Sequence, residues 1–328
     1  MVDVIGKKNM QVGVCIVNYK TMDLTIDCLR SLEGADVKVT VIDNDSQDGS
    51  YEKISAAILS EGWSGWVSIK ASGHNGGFAF GNNVAIREFL KAGQKPEYIY
   101  LLNPDTVVRK GAVSQLVEFM QNNPAVGIAG SQIEDENGQV LPSAFKFHTW
   151  QSEMNKGFSL GLLTKLLRRW VNEQTIPKEP VKADWVSGAS MMIRREVFEQ
   201  VGLLDDTYFM YFEETDFCLQ ASKKGWECWY VPSSRVMHLV GQSTGISNKK
   251  MQKRMPVYWF ESRRRYFLKN FGALHAAMAD MCWLVGFATW KLRNIVQRKE
   301  DNHPPGLFTD FLLNSVFFRG FTLLPVKK

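Results

Sequence analysis

The strongest constraint on the fold is a rhythm in the first part of the chain, where short β-branched runs alternate with stretches of helical period. Strand candidates are VGVCIVN (residues 12–18), KVTVID (38–43), WVSIKA (66–71), YIYLLN (98–103) and VGIAG (126–130). Helical stretches lie between them at 22–32, 50–59, 78–92 and 112–122. Strand and helix alternating in this way build a mainly parallel sheet with helices on both faces. Such sheets take ligands in the crevice beyond the carboxyl ends of their strands, and the polar clusters of this chain fall at those ends.

After Gly130 the rhythm changes. EDENGQ (134–139) reads as a hairpin turn, and a Lys/Arg-bearing stretch, 157–179, reads as either a helical insertion or a mobile loop. Order resumes with DWVSGASMMIRREVFEQVGLLDD (184–206), a strand and then a helix that Gly202 ends. EETDFCLQASKKG forms a further helix from Glu213 to Gly225. With 328 residues, 45% of them apolar and 22% charged, the chain can bury a large core in one domain or two. Its five cysteines are odd in number and none forms a CxxC pair, which suits a reducing compartment. The opening MVDVIGKKNMQ lacks the apolar core of a signal peptide, so the expected location is cytoplasmic.

Four polar clusters can carry chemistry. VIDNDSQDGS ends the second strand; Asp45, Ser46 and Asp48 are equally well explained as turn and cap residues, whereas Asp43, last in the strand, would face the crevice and accept from a base imide N–H. GHNGGFAFGNN (73–83) lets backbone approach a ligand and opens a helix toward an anion such as a diphosphate, although it does not have the GxGxxG spacing and is compatible with a plain turn. NPDT ends the fourth strand, where Asp105 can give a hard divalent cation one carboxylate and Asn103 an uncharged contact, or the four residues can be an ordinary capped turn. YFMYFEETDF (208–217) sets Glu213, Glu214 and Asp216 among aromatics at a helix start; the helix dipole alone would favour acids there, and an apolar setting would also raise a carboxyl toward the range of a general base. His238 follows a strand-like run and precedes a Gly/Ser/Thr-rich loop.

In this order the pieces VCIVNYKTMDLTIDCLRSL, VTVIDNDSQDGS, NGGFAFGNN, YLLNPDTVV, WVSGASMMIRREVFEQVGLLDDTYFMYFEETDFCLQASKKG and RVMHLVGQST resemble the inverting family 2 glycosyltransferases of GT-A fold, and within them the bacterial rhamnosyltransferase-like group. The resemblance implies a Rossmann-like α/β nucleotide-diphospho-sugar transferase: a mainly parallel mixed sheet flanked by helices, with a C-terminal helical extension. It implies that Asn18 and Asp43 lie at the nucleoside, with Asn75, Gly76 and Gly77 bordering the nucleotide. Asn103 would contact sugar, and Asp105, with His238, would hold a divalent cation, Mg2+ or Mn2+, on the diphosphate. The family's Glu-Asp pair reads Glu213-Glu214 here, so Glu214 stands at the base position, one methylene longer, and Asp216 is the alternative base. The implied partners are a nucleotide-sugar donor, most plausibly dTDP-rhamnose, and a glycan or lipid-linked saccharide acceptor of a cell-surface polysaccharide. Two rivals are a sugar-nucleotide pyrophosphorylase, which would carry a Gly-rich basic loop where NYKTMD stands, and an inactive glycan-binding scaffold of the same fold.

Charge divides the chain into a catalytic part, 1–248, and a C-terminal region, 249–328: the latter holds 15 Lys+Arg against 5 Asp+Glu, the former 24 against 29. Basic and aromatic residues occur together in this tail without an RNA-binding signature, so no nucleic-acid partner is expected. Its two apolar segments, ALHAAMADMCWLVGFATW and GLFTDFLLNSVFFRGFTLL, contain His275, Asp280, Asp310 and Arg319 and do not read as clean spanning helices. They read as amphipathic helices that either lie on the cytoplasmic face of a membrane or pack on the catalytic core. The oligomeric state is left open.

Overall fold

A computed structural model of the chain describes residues 12–93, 95–171, 176–239 and 253–323. The expected alternation is present: β1 (Val12–Asn18), α1 (Met22–Ser31), β2 (Val37–Asp43), α2 (Ser50–Ser60), β3 (Val67–Ala71), α3 (Gly77–Lys91), β4 (Tyr98–Leu102), then a short β5 (Thr106–Val108), α4 (Ala112–Asn122) and β6 (Val126–Glu134). Next come β7 (Val140–Leu141), β8 (Ala144–Phe145), α5 (Trp150–Phe158), α6 (Gly161–Leu166), β9 (Val181–Ala183), β10 (Trp185–Val186), β11 (Ser190–Arg194), α7 (Arg195–Val201), α8 (Glu213–Lys223) and β12 (Glu227–His238).

The main sheet has the order β3-β2-β1-β4-β11-β6-β12-β5. Strands β1 to β4 pair in parallel, β11 runs antiparallel between β4 and β6, and β12 is parallel to β6 but antiparallel to β5. The sheet is thus mixed, as the resemblance implied. Its two faces follow the period of two along each strand: Val14, Ile16, Tyr98 and Tyr100 pack with Leu29, Ile54 and Leu116 on one side, while Cys15, Ile99 and Leu101 pack with Ile86, Phe89 and Phe217 on the other. The 134–139 turn forms, with Asp135 N donating to Gln139 O (2.9 Å) and joining β6 to β7. Of the 157–179 stretch, 157–170 is mostly helical, 176–179 is irregular, and residues 172–175 lie outside the described residues.

The C-terminal region contributes α9 (Val257–Val296), α10 (Leu307–Asn314) and α11 (Val316–Arg319). Gly272, at φ 81° and ψ 178°, breaks α9 into two helices, 257–271 and 273–296. The first packs on α8 and the loop before it: Tyr266, Phe267 and Leu268 join Tyr208, Phe212 and Leu219 in one aromatic-rich cluster. The second lies so close to α5 that a Cβ on Gly157 would fall 2.7 Å from Trp283 O, and one on Gly286 2.6 Å from Phe158 N. One face of this region therefore packs on α5, α8 and the loop before α8, as one of the two sequence alternatives had it. The boundary expected at residues 248/249, the Gly/Ser/Thr-rich loop after His238 and the opening residues 1–11 lie outside the described residues.

Candidate active site

Three of the polar clusters lie at the carboxyl ends of β1, β2 and β4 and in the loop after β3. At the ends of β1 and β2, Asn18 pairs with Asp43 in the strand register, and its Nδ2 donates to Asp43 Oδ1 at 2.7 Å. Ser46 donates to the same carboxylate twice, from Oγ to Oδ1 (2.6 Å) and from N to Oδ2 (3.1 Å). A carboxylate has about four acceptor sites, so roughly one remains on Asp43 Oδ2. Asn18 is fully buried, and its Oδ1 accepts from Thr21 and Thr25, so its side chain holds Asp43 in place from beneath.

The glycine loop is tied to this group by a residue that sequence reasoning passed over. Asn44 Nδ2 donates to Asn75 Oδ1 (2.9 Å) and to Gly77 O (3.2 Å), and Gly77 N donates to Asn75 Oδ1 (3.1 Å). Asn44 stands in the quoted VIDNDSQDGS run, but its role depends on a loop 31 residues away. Gly77 has φ +84°, and a Cβ there would meet Phe209 O at 1.8 Å. Phe78 N donates to that same carbonyl (3.0 Å). The glycines thus permit contact with the loop before Glu213 and Glu214 as well as with any ligand.

At the mouth of β4, Asp105 is 1% exposed and its Oδ1 lies 3.1 Å from His238 Nε2. Asn103 Nδ2 lies 3.3 Å from the same nitrogen, and its backbone carbonyl accepts from Thr106 Oγ1 at 2.7 Å. The pairing of β5 with β12 sets this up by placing His238 opposite Thr106, a strand contact across more than 130 residues that no local pattern shows. Among the described residues no group of three or more His, Cys, Asp or Glu gathers to hold a metal ion. The donor set of the Asp105 carboxylate and the His238 imidazole fits a hard cation that draws the rest of its shell from phosphate oxygens.

The acids of α8 separate by environment. Tyr211 and Phe212 precede them at φ 70° and 68°, a left-handed backbone that is costly for non-glycine residues and concentrates at functional sites. Glu213 is buried, and its Oε2 and that of Glu214 have no hydrogen-bond partner among the described residues. Burial, followed by the neighbouring Glu214 charge, drives the Glu213 carboxyl well above its usual range. Burial also pushes Glu214 up to about 6, with the backbone N–H groups of Glu214 and Gly188 holding it back. A Cβ on Gly188 would lie 3.2 Å from the Phe78 ring and 3.8 Å from Glu214 Cβ, so the glycine loop, the 187–189 turn and the acid are contiguous. Asp216 turns the other way: it is 2% exposed, its Oδ2 accepts from Lys269 (2.7 Å) and its Oδ1 from Asn270 (2.6 Å). Lys269 also bonds Asp205 (2.8 Å), and Ser262 Oγ bonds Met210 O (2.9 Å). The first half of α9 thereby holds the 205–216 segment on both sides, a role that composition and period did not signal.

A family model described as glycosyltransferase like family 2 matches residues 3–255. The chain belongs to this family. Among its curated relatives is an N-acetylglucosaminyl-diphospho-decaprenol L-rhamnosyltransferase of Mycobacterium tuberculosis, 31% identical over 222 residues, which are 64% of this chain and 68% of the relative. Another is the rhamnosyltransferase WbbL of Escherichia coli K12, 26% identical over 234 residues, 69% of this chain and 83% of that one. The fold is shared with the crystal structure of GalNAc-T7 with UDP, GalNAc and Mn2+, at TM-score 0.58 and 15% identity; the match covers 94% of this chain but 56% of that protein, so this chain spans little more than half its length. This glycosyltransferase is thus of the inverting, GT-A, family 2 type.

Proposed function

We propose that this glycosyltransferase moves L-rhamnose from dTDP-rhamnose onto a lipid-linked glycan acceptor at the cytoplasmic face of a membrane. Residues 1–248 form the catalytic part of this reading and 249–328 its extension. The observation that carries the chemistry is Glu214, a carboxyl lifted to about 6 with an unpartnered oxygen, beside Gly188 and the glycine loop. At pH 7 it is mostly ionised yet basic enough to accept a hydroxyl proton. It takes the proton of the acceptor hydroxyl as that oxygen attacks the anomeric carbon. The bond to the nucleoside diphosphate breaks with its electron pair leaving on the phosphate, and attack from the opposite face inverts the centre. Asp216 is occupied by Lys269 and Asn270, which favours Glu214 as the base. Asp43, with one acceptor site left, receives the imide N–H of thymine, and Asn18 positions it; Asn75, Gly76 and Gly77 border the nucleotide. Asn103 contacts sugar. Asp105 and His238 would hold a Mg2+ or Mn2+ ion, which when bound would offset the diphosphate charge. The identity of the donor is supported by the two rhamnosyltransferase relatives.

The acceptor's lipid is supported by the outer face of α9. Leu274, Met281, Val285, Leu292 and Ile295, spaced along one side of the second half, are 46–77% exposed. Leu162 and Leu166 of α6 are 84% and 76% exposed, next to Lys165, Arg168 and Arg169. Helix α9 is long and apolar enough to cross a membrane by length and composition, but Gly272 breaks it and 39% of its most apolar window is buried. An apolar face flanked by cations suits an anionic bilayer surface on which the helix lies.

The test is release of nucleoside diphosphate from UDP-, GDP- and dTDP-sugars with Mg2+ or Mn2+ and with a chelator, using a lipid-linked acceptor. The expected result is selective turnover of dTDP-rhamnose that the chelator abolishes and Asp105→Ala removes. Turnover of a different donor overturns the rhamnosyl assignment, and undiminished transfer by Asp105→Ala and Glu214→Gln overturns the assigned residues.

A further inference from the structure

The C-terminal extension sets an aromatic ring against the loop that precedes Glu213 and Glu214. The Tyr258 ring lies 5.3 Å from that of Phe209 and 6.1 Å from that of Tyr211, at 22° to the latter. Phe209 is the residue whose carbonyl anchors the glycine loop, and Tyr211 stands two positions before the catalytic pair. All three rings are only half-buried, whereas the deeper Tyr208 and Tyr266 of the same helix contact are fully buried. The Tyr258 hydroxyl bonds no described residue. The left-handed backbone at Tyr211 and Phe212 is a conformational cost that the fold retains, and it sets Tyr211 against Tyr258.

An aromatic face on the segment that leads into Glu213 and Glu214 suits one ligand class in particular. The C–H face of a pyranose is apolar and its edge is hydroxylated, so a tyrosine can cover the one and bond the other. We propose that Tyr211 and Tyr258 form the acceptor subsite, holding the pyranose ring whose hydroxyl Glu214 deprotonates. This rests on the glycosyl-transfer reading. It makes Tyr258, a residue of the extension, a determinant of acceptor binding.

The experiment is saturation-transfer NMR on the full chain with dTDP and methyl N-acetyl-β-D-glucosaminide as probes, comparing wild type with Tyr258→Phe and Tyr258→Ala. The expected result is saturation of both probes in wild type, a loss of roughly tenfold in the saccharide signal for Tyr258→Ala, and an unchanged dTDP signal. Tyr258→Phe keeps the ring and should keep most of the saccharide signal. Saccharide signal equal in wild type and Tyr258→Ala, or missing from wild type while dTDP binds, overturns the subsite. A parallel fall of both probes in Tyr258→Ala assigns Tyr258 a purely structural role and overturns it too. Absence of dTDP binding in wild type instead overturns the nucleotide-sugar reading on which the subsite rests.

Discussion

Two neighbouring acids, Glu213 and Glu214, share a helix start and differ in what surrounds them. Glu213 is 3% exposed, and burial together with the neighbouring Glu214 charge raises its carboxyl well above the usual range. Burial pushes Glu214 up to about 6, so in its proposed role as base it would work above that value and lose that role as pH falls through it. Transfer to acceptor should therefore show an acid limb near pH 6, measured as a pH–rate profile, and Glu214→Gln should lower kcat by roughly 100- to 10,000-fold with donor KM unchanged. Aromatic surroundings made this shift legible in the sequence. The competing claim of Asp216 was not legible, because Lys269 and Asn270, which occupy it, come from a helix about 50 residues later.

At the scale of elements, α9 is the unexpected member. Its two halves are locked across Gly272 by Arg263, buried at 3% exposure, which bonds Asp280 in the second half and Glu153 of α5 at 2.7 Å. Asp280 in turn accepts from Val316 N at the start of α11 (2.7 Å), so one guanidinium organises four helical segments. Removing it strands two buried carboxylates. Arg263→Met should cost roughly 3–5 kcal/mol in denaturant unfolding at neutral pH. Burial opposes ionisation of Glu153, but Arg263, His148 and Lys156 together outweigh it and hold the carboxyl far below its ordinary value. Because the folded-state pKa is depressed, this contribution is complete above the unfolded carboxylate value near 4.5 and is lost as pH falls below it. The gap in stability between wild type and Arg263→Met should accordingly narrow in acid.

Seen as a whole, the molecule presents its crevice and its apolar helix face on one folded body, connected through α9. If the outer stripe of α9 lies on lipid, the full chain should float with vesicles containing anionic lipid and sediment away from neutral ones at moderate salt. Leu292→Glu combined with Ile295→Glu, both on exposed positions, should abolish flotation while leaving the folding transition within about 0.5 kcal/mol of wild type. Flotation unchanged by the two substitutions would remove this face from the membrane contact.

Local pattern was enough for the sheet, because a period of two in β-branched runs and of 3.6 between them is a property of neighbouring residues: β1 and α4 have the bounds read from the sequence, and β2, β3 and β4 lie within a residue of them. It also placed Asp43, Asp105 and the glutamate pair at strand and helix ends, since polar residues there interrupt apolar runs. Only the tertiary structure decided which of them meet. His238 reaches Asp105 through a strand pairing, Asn44 reaches Asn75 across two loops, and Lys269 claims Asp216 from the basic, aromatic stretch that opens α9. Composition states how much of a helix is apolar but not which face is covered. In α9 the protein core takes one face and leaves the other exposed, a division set by the packing of α5, α8 and α10.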